Sequence, residues 1–215
     1  KTDGMKLLME QISTDSISGL RDYVMLTIMY TTGIRVSELI GIKAKDLSLS
    51  DPPTLLVHGK GGRDRYVPIN KKTVSVIRKY ISAMNYEAHE RLENPLFVNH
   101  MGNCFTRQGV NYMIDKYAEM ARRKSSELIP NDMSPHKIRH STAMSLVASG
   151  VDLIYIRDLL GHSSVKTTEI YARADAQLKR KAIEAASKEL VISEKAEWDT
   201  NTSLKEWLIN FCRPI

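Results

Sequence analysis

The chain has 215 residues, of which 42% are hydrophobic, and it carries a formal net charge of +6. That is enough apolar sequence for the core of one large domain, and the positive charge favours an anionic partner such as nucleic acid. Two distant cysteines give no disulfide framework, no apolar run approaches the roughly 18 residues of a membrane span, and no signal peptide is visible, so we expect a cytoplasmic protein without membrane segments.

Apolar residues at helical spacing in the first part of the chain predict a helix that ends at Gly33. Glycine is common just after a helix because it adopts the left-handed backbone conformation that closes the last turn. A second short helix is predicted from about Ile34, and it carries Arg35 and Glu38. Arg35 by itself would be read as an ordinary surface residue.

Two short aliphatic runs, 55–57 and 65–69, flank the glycine-rich segment 59–62. This pattern predicts a β-hairpin with Lys60 at its tip. The glycines also suggest a phosphate-binding loop, but the pattern G-x-x-x-x-G-K-[ST] is absent, so that interpretation is rejected.

The rest of the chain is predicted to be helical. Ser134 followed by Pro135 is a typical helix start, with serine as the N-cap and proline at the first helical position. In chain order the predicted helices include 74–81, 106–117, 134–150, 152–161, a segment from 164, 174–190 and a peripheral tail helix. The predicted fold class is therefore mainly α with a small antiparallel β-sheet.

His136 and Arg139 lie three residues apart in the first turn of a predicted helix, so their side chains share one face. The exposed N–H groups of a helix start also favour an anion there. A zinc site is the alternative, because His136 and His140 have i, i+4 spacing. Lys137 stands where the metalloprotease motif has glutamate, and no third ligand is obvious, so the pattern favours the phosphate interpretation and no metal.

His162 follows a glycine at a predicted helix end, and Tyr171 is one of nine tyrosines. Each residue alone has an ordinary structural explanation. Together with the arginines they indicate attack on a phosphodiester, because arginine grips a phosphate through paired hydrogen bonds, histidine moves protons near neutral pH and tyrosine can form a covalent phosphate ester.

Five motifs in this order resemble the tyrosine recombinases, a family that includes the phage and transposon integrases and the Xer-type recombinases. The motifs are TGIRVSEL at 32–39, Lys60 in the hairpin, His136-x-x-Arg139, LLGH at 159–162, and Tyr171. The resemblance covers about residues 5 to 190 and departs from the family pattern at none of the six catalytic positions. It implies the tyrosine recombinase catalytic-domain fold.

The resemblance also implies a role for each of these six residues. Tyr171 would be the nucleophile, giving a 3′-phosphotyrosine and a free 5′-hydroxyl, while Arg35 and Arg139 would clamp the attacked phosphate. Lys60 would be the general acid for the leaving oxygen, His136 the proton acceptor for the tyrosine, and His162 a hydrogen-bond donor to the phosphate. Neither a metal, a cofactor nor ATP is expected.

The same resemblance predicts the domain organisation. Residues 1–192 would form the catalytic domain, and 193–215 a tail helix that docks in cis or on a neighbouring protomer. The apolar stripe of that tail comprises Leu204, Trp207, Leu208 and Phe211. The family's N-terminal core-binding domain is expected to be absent from this chain. The expected partner is double-stranded DNA, bound by a homo-tetramer of the full-length protein, with the isolated domain possible as a monomer.

The expected function is that of an integrase-type recombinase of a mobile element, and two other functions compete with it. A type IB topoisomerase uses similar catalytic groups, although the compact spacing from LLGH to Tyr171 favours the recombinase. A DNA-binding module without catalysis would not need a tyrosine at position 171.

Overall fold

The computed structural model describes residues 2–59, 61–86 and 91–161. Within these ranges the chain forms seven α-helices and three strands. The helices are α1 (Thr2–Met9), α2 (Ile17–Thr32), α3 (Val36–Ile40), α4 (Lys71–Ala83), α5 (Arg107–Lys124), α6 (Pro135–Ala148) and α7 (Leu153–Leu160). The strands are β1 (Leu47–Ser48), β2 (Thr54–Val57) and β3 (Arg65–Pro68). The predicted fold class, mainly α with a small antiparallel sheet, is confirmed.

Several predictions fall outside the described residues. They are Lys60 at the hairpin tip, His162, Tyr171, the helices expected after residue 161, and the tail 193–215. Among the described helices, none is both long enough and apolar enough to cross a membrane.

The sheet has the strand order β1-β2-β3, with both pairs antiparallel. Leu55 of β2 pairs with Val67 of β3, and both side chains are buried. The hairpin predicted from the sequence is thus present. A 3₁₀ helix, Ala44–Asp46, leads into β1, and this two-residue strand was not predicted because it is too short to show an alternating pattern.

The helix starts follow the sequence signals closely. The side-chain oxygens of Ser16, Thr106 and Ser134 accept hydrogen bonds from backbone N–H groups inside α2, α5 and α6, as expected for N-caps. Helix α1 was not predicted. At the other end of α2, Gly33 has φ 65° and its N–H donates to Met29 O. The predicted helix end at Gly33 is therefore confirmed.

Helix α2 is the centre of the core, because it packs against both α4 and α6. Its buried apolar face includes Met25, Leu26, Ile28 and Met29. The carboxylate of Asp22 is buried on the same helix, and its Oδ2 accepts a hydrogen bond of 3.0 Å from the Tyr117 hydroxyl of α5. Burial and the nearby Asp22 carboxylate raise the pKa of Tyr117 well above its ordinary value, which keeps the hydroxyl protonated as a donor.

We expect Tyr117→Phe to lower the free energy of unfolding by about 1–3 kcal/mol, because it removes a donor from a buried carboxylate. Urea denaturation measures this difference. Tyr112→Phe is the matched control, since Tyr112 lies on the same helix with 73% of its surface exposed. Equal midpoints for the two variants would contradict a stabilising role for the Tyr117–Asp22 hydrogen bond.

Candidate active site

Arg139 lies on α6 and joins the C-terminal ends of two other helices. Its Nη1 donates to Gly33 O at 2.6 Å and its Nη2 donates to Leu160 O at 2.7 Å, and only 7% of the residue is exposed. The last carbonyls of a helix have no partner within the helix and carry partial negative charge. The guanidinium therefore stabilises the ends of α2 and α7, and these ends hold it in one orientation.

Arginines from three parts of the chain donate hydrogen bonds to the end of α7. Three consecutive carbonyls each accept from a different guanidinium: Leu159 O from Arg65 Nε at 3.0 Å, Leu160 O from Arg139 Nη2 at 2.7 Å, and Gly161 O from Arg35 Nη2 at 3.0 Å. We call Arg35, Arg65 and Arg139 the arginine cluster. This cluster concentrates positive charge at the turn that leads directly to His162.

Two glycines allow this close approach. Gly161 has φ 65°, and a Cβ there would lie 2.8 Å from Arg65 Nη1. Gly33 also has φ 65°, and a Cβ there would lie 2.5 Å from a methyl carbon of Leu160. Both positions combine a left-handed backbone with no room for a side chain, so the glycines of two sequence motifs are needed for packing at one place.

Glu38 is the buried carboxylate that holds the exposed member of the arginine cluster. Its Oε2 accepts from the Arg35 backbone N–H at 2.8 Å and its Oε1 accepts from Arg35 Nη1 at 3.1 Å. Arg65 donates to the same two oxygens, from Nη1 at 3.0 Å and from Nη2 at 2.9 Å. The side chain of Glu38 is 5% exposed, whereas that of Arg35 is 44% exposed. The buried Glu38 carboxylate thus holds Arg35 in a position that faces solvent.

Burial alone would raise the pKa of the Glu38 carboxyl, but hydrogen bonds from Arg65 and from the Arg35 backbone N–H outweigh burial. The pKa of Glu38 therefore lies below its usual 4.5. A group with a depressed folded-state pKa adds stability that is present above the unfolded-state pKa and is lost as pH falls through the folded-state pKa.

We expect Glu38→Gln to lower the free energy of unfolding by about 3 kcal/mol at pH 7, because two arginines lose a buried counter-charge. The difference from the wild type should shrink as the pH falls from the ordinary value of 4.5 through the lower folded-state pKa, where the wild-type carboxylate becomes protonated. Urea denaturation across this pH range measures both effects. Glu119→Gln is the control, since Glu119 pairs with Arg123 on the surface and should matter little. A pH-independent difference would contradict the charge argument.

Arg35 opens into a cleft of about 1040 Å³. The described residues lining it come from α3, the β2–β3 hairpin, the start of α5 and the end of α7, and they include Arg35, Gly59, Gly61, Arg63 and Arg107. Gly59 and Gly61 flank Lys60 in the sequence. Arg35 and the β2–β3 hairpin, which we call the lysine hairpin, therefore line the same cleft. A cleft with several arginines at its walls suits a phosphate backbone.

His58 connects the base of that hairpin to the 3₁₀ helix Ala44–Asp46. His58 Nδ1 lies 2.8 Å from Asp64 Oδ2, across the turn, and His58 Nε2 lies 3.3 Å from Asp46 Oδ1 in the 3₁₀ helix. Hydrogen bonds to Asp64 and then to Asp46 raise the pKa of His58 above 6.5. The imidazole therefore joins both ends of the turn to the start of the sheet.

Of the six residues predicted from the sequence, the structure describes three. Arg35 and Arg139 meet at the end of α7, as a shared phosphate site requires. His136 is exposed in the first turn of α6, one turn before Arg139. Lys60, His162 and Tyr171 lie outside the described residues, and the catalytic roles of all six residues stay predictions.

Sequence reasoning missed the part played by Glu38 and Arg65. Glu38 had a usable signal, because a glutamate at the third position of a helix often reaches back to the N-cap N–H, as it does here to Arg35. Arg65 gave no such signal. In the described parts of the chain, no group of three or more His, Cys, Asp or Glu side chains is arranged to hold a metal ion.

Curated proteins similar to this chain are Xer recombinases. It is 37% identical over 158 residues to tyrosine recombinase XerD of Ralstonia nicotianae, covering 73% of this chain and 49% of that protein. It is 35% identical over 177 residues to tyrosine recombinase XerC of Thermodesulfovibrio yellowstonii, covering 80% and 56%. The chain thus spans about half the length of these relatives.

Solved structures of recombinases have the same fold. The XerH site-specific recombinase, bound to palindromic difH substrate in a post-cleavage complex, matches with a TM-score of 0.70 and 26% identity, over 87% of this chain and 52% of that one. The XerA recombinase matches with a TM-score of 0.70 and 27% identity, over 86% and 64%. The model of the phage integrase family matches residues 1–178. The chain therefore belongs to the phage integrase family and carries a tyrosine recombinase catalytic domain.

Proposed function

We propose that this chain is the catalytic part of a site-specific DNA recombinase, an integrase that cleaves and rejoins strands through a 3′-phosphotyrosine on Tyr171. The observation that carries the proposal is the meeting of Arg35 and Arg139 at the end of α7, directly before His162. Two oriented guanidinium groups are what a phosphodiester needs when negative charge grows on its non-bridging oxygens. Membership of the phage integrase family supports the same reaction.

In the proposed reaction the Tyr171 oxygen attacks phosphorus and displaces the 5′-oxygen of the next nucleotide. The tyrosine proton passes to His136, and Lys60 gives a proton to the leaving oxygen, so that charge balances at both ends. Arg35 and Arg139 stabilise the oxygens between them, with His162 donating one more hydrogen bond. Rejoining is the reverse attack by a 5′-hydroxyl, which conserves the phosphate ester without ATP.

The DNA is proposed to lie over the arginine-lined cleft, where Arg35 and Arg107 face solvent beside the Lys60 hairpin. Strand exchange needs two duplexes, so we further propose that four protomers of the full-length protein assemble on DNA. The apolar tail stripe would dock in cis or on a neighbouring protomer. An integrase of a mobile element acting in the cytoplasm fits this scheme, and these points stay predictions.

Covalent trapping tests the proposal. The full chain is incubated with a pool of duplexes that have randomised flanks and a nick, so that a short cleaved fragment diffuses away and the protein stays attached. We expect an adduct that resists SDS, in which protein is joined to a 3′-phosphate and the released fragment has a 5′-hydroxyl. No adduct, or one joined through a 5′-phosphate, would overturn the proposed reaction. Sequences enriched in the adduct then provide a defined substrate for kinetics.

A further inference from the structure

Arg65 stands at the start of β3 and has no role in the reaction proposed above. All three nitrogens of its guanidinium nevertheless donate hydrogen bonds to two other elements. Nη1 and Nη2 donate to the two oxygens of Glu38 on α3, at 3.0 and 2.9 Å, and Nε donates to Leu159 O at the end of α7, at 3.0 Å. The side chain is 14% exposed.

Each partner of Arg65 also positions a group proposed for catalysis. The Glu38 carboxylate accepts hydrogen bonds from both the guanidinium and the backbone N–H of Arg35. Leu159 lies three residues before His162, in the turn whose next carbonyls accept from Arg139 and Arg35. Arg65 itself follows Lys60 by five residues in the same hairpin. One guanidinium thus joins the lysine hairpin, the support of Arg35 and the helix end that leads to His162.

A direct contact between Arg65 and DNA phosphate is the less favoured reading. The edge of the guanidinium that carries Nη1 and Nη2 faces the Glu38 carboxylate, and the group lies close to Gly161, where a Cβ would be 2.8 Å from Nη1. Arg35, in contrast, keeps 44% of its side chain exposed to the cleft. The geometry gives Arg35 access to a phosphate and gives Arg65 a fixed place behind it.

We propose, on the basis of the recombinase function proposed above, that Arg65 is a positioning residue for DNA cleavage. Through Glu38 and Leu159 it holds Arg35 and the end of α7 in one arrangement, and the phosphate site is assembled only while that arrangement persists. Arginine is required because the three donors of a lysine ammonium share one nitrogen, which cannot reproduce the paired bonds to both Glu38 oxygens together with the separate bond to Leu159 O.

The test compares binding with chemistry on one defined duplex selected from the randomised nicked pool. For Arg65→Lys in the full chain we expect the single-turnover rate of adduct formation at saturating DNA to fall on the order of 100-fold, as for a misplaced catalytic group. The dissociation constant for the duplex should change less than about threefold, because the positive charge remains. Arg78→Lys is the matched control, since Arg78 on α4 is exposed and donates to a single backbone carbonyl, that of Leu49. Its cleavage rate should equal that of the wild type.

A double-mutant cycle separates positioning from simple loss of stability. If Arg65 acts through Arg35, Arg65→Lys should slow cleavage far less in an Arg35→Lys background than in the wild type. Glu38→Asp, which withdraws the shared carboxylate but keeps its charge, should reproduce the loss of rate and serves where Arg65→Lys does not fold. An equal loss in both backgrounds, or cleavage within threefold of wild type, would overturn the positioning role. Absence of any adduct with the wild-type chain would instead overturn the recombinase function itself.

Discussion

Tyr171→Phe should abolish covalent attachment to nicked DNA while leaving DNA binding nearly unchanged. The change removes only the oxygen that is proposed to attack phosphorus, and no tyrosine among the described residues follows the LLGH motif at 159–162 as Tyr171 does. The side chain keeps its size and apolar ring, so the cost to folding should be small. Gel detection of the SDS-resistant adduct, with peptide mapping of the wild-type adduct, measures the effect.

The control for this experiment is Tyr155→Phe. Tyr155 is on α7 with 70% of its surface exposed, and the same hydroxyl is removed there without loss of a proposed catalytic group. Its adduct should form at the wild-type rate. An adduct that persists in Tyr171→Phe would reject Tyr171 as the nucleophile, whereas loss of DNA binding by that variant would point to a misfolded protein or to a second role in binding.

Local signals in the sequence were sufficient for most of the elements that carry the site. Ser134 before Pro135 predicted the start of α6 and so the position of Arg139 in its first turns. Gly33 predicted the end of α2, and Gly161 the end of α7. These signals work because helix ends leave backbone groups that neighbouring residues must satisfy, and such contacts lie within a few positions along the chain.

Contacts between distant segments were not predictable in this way. The bonds of Arg65 reach Glu38 and Leu159, which are 27 and 94 residues away. Nothing in the hairpin sequence indicates that Arg65 is buried against the Glu38 carboxylate of α3. The sequence also placed Arg35 inside a short helix, whereas it is the N-cap residue of α3, and that position lets its backbone N–H donate to Glu38. Sequence motifs identified the residues proposed for chemistry, whereas the contacts that hold these residues in place were found only in the folded structure.

Arg139→Lys is expected to slow cleavage at saturating DNA by about 10²–10³-fold, the usual cost of losing one preorganised donor to a developing oxyanion. The positive charge is kept, so the loss tests geometry. In the wild type, Gly33 O and Leu160 O each accept from a different terminal nitrogen, at 2.6 and 2.7 Å, and these two bonds fix the guanidinium plane. A lysine ammonium has no plane and carries its three donors on one nitrogen, so it cannot reproduce the two carbonyl bonds made by separate nitrogens and keep the remaining donors in the same orientation.

The same substitution should also destabilise the fold, since two buried helix ends lose part of their hydrogen bonding, and rate and stability must therefore be measured together. Thermal unfolding sets a temperature at which the variant is folded, and cleavage is compared with the wild type at that temperature. Arg123→Lys is the control, because Arg123 forms an exposed pair with Glu119 on α5 and should change neither quantity. If folded Arg139→Lys cleaved DNA at the wild-type rate, a point charge would be enough at this position, and the oriented guanidinium proposed as half of the phosphate clamp would be wrong.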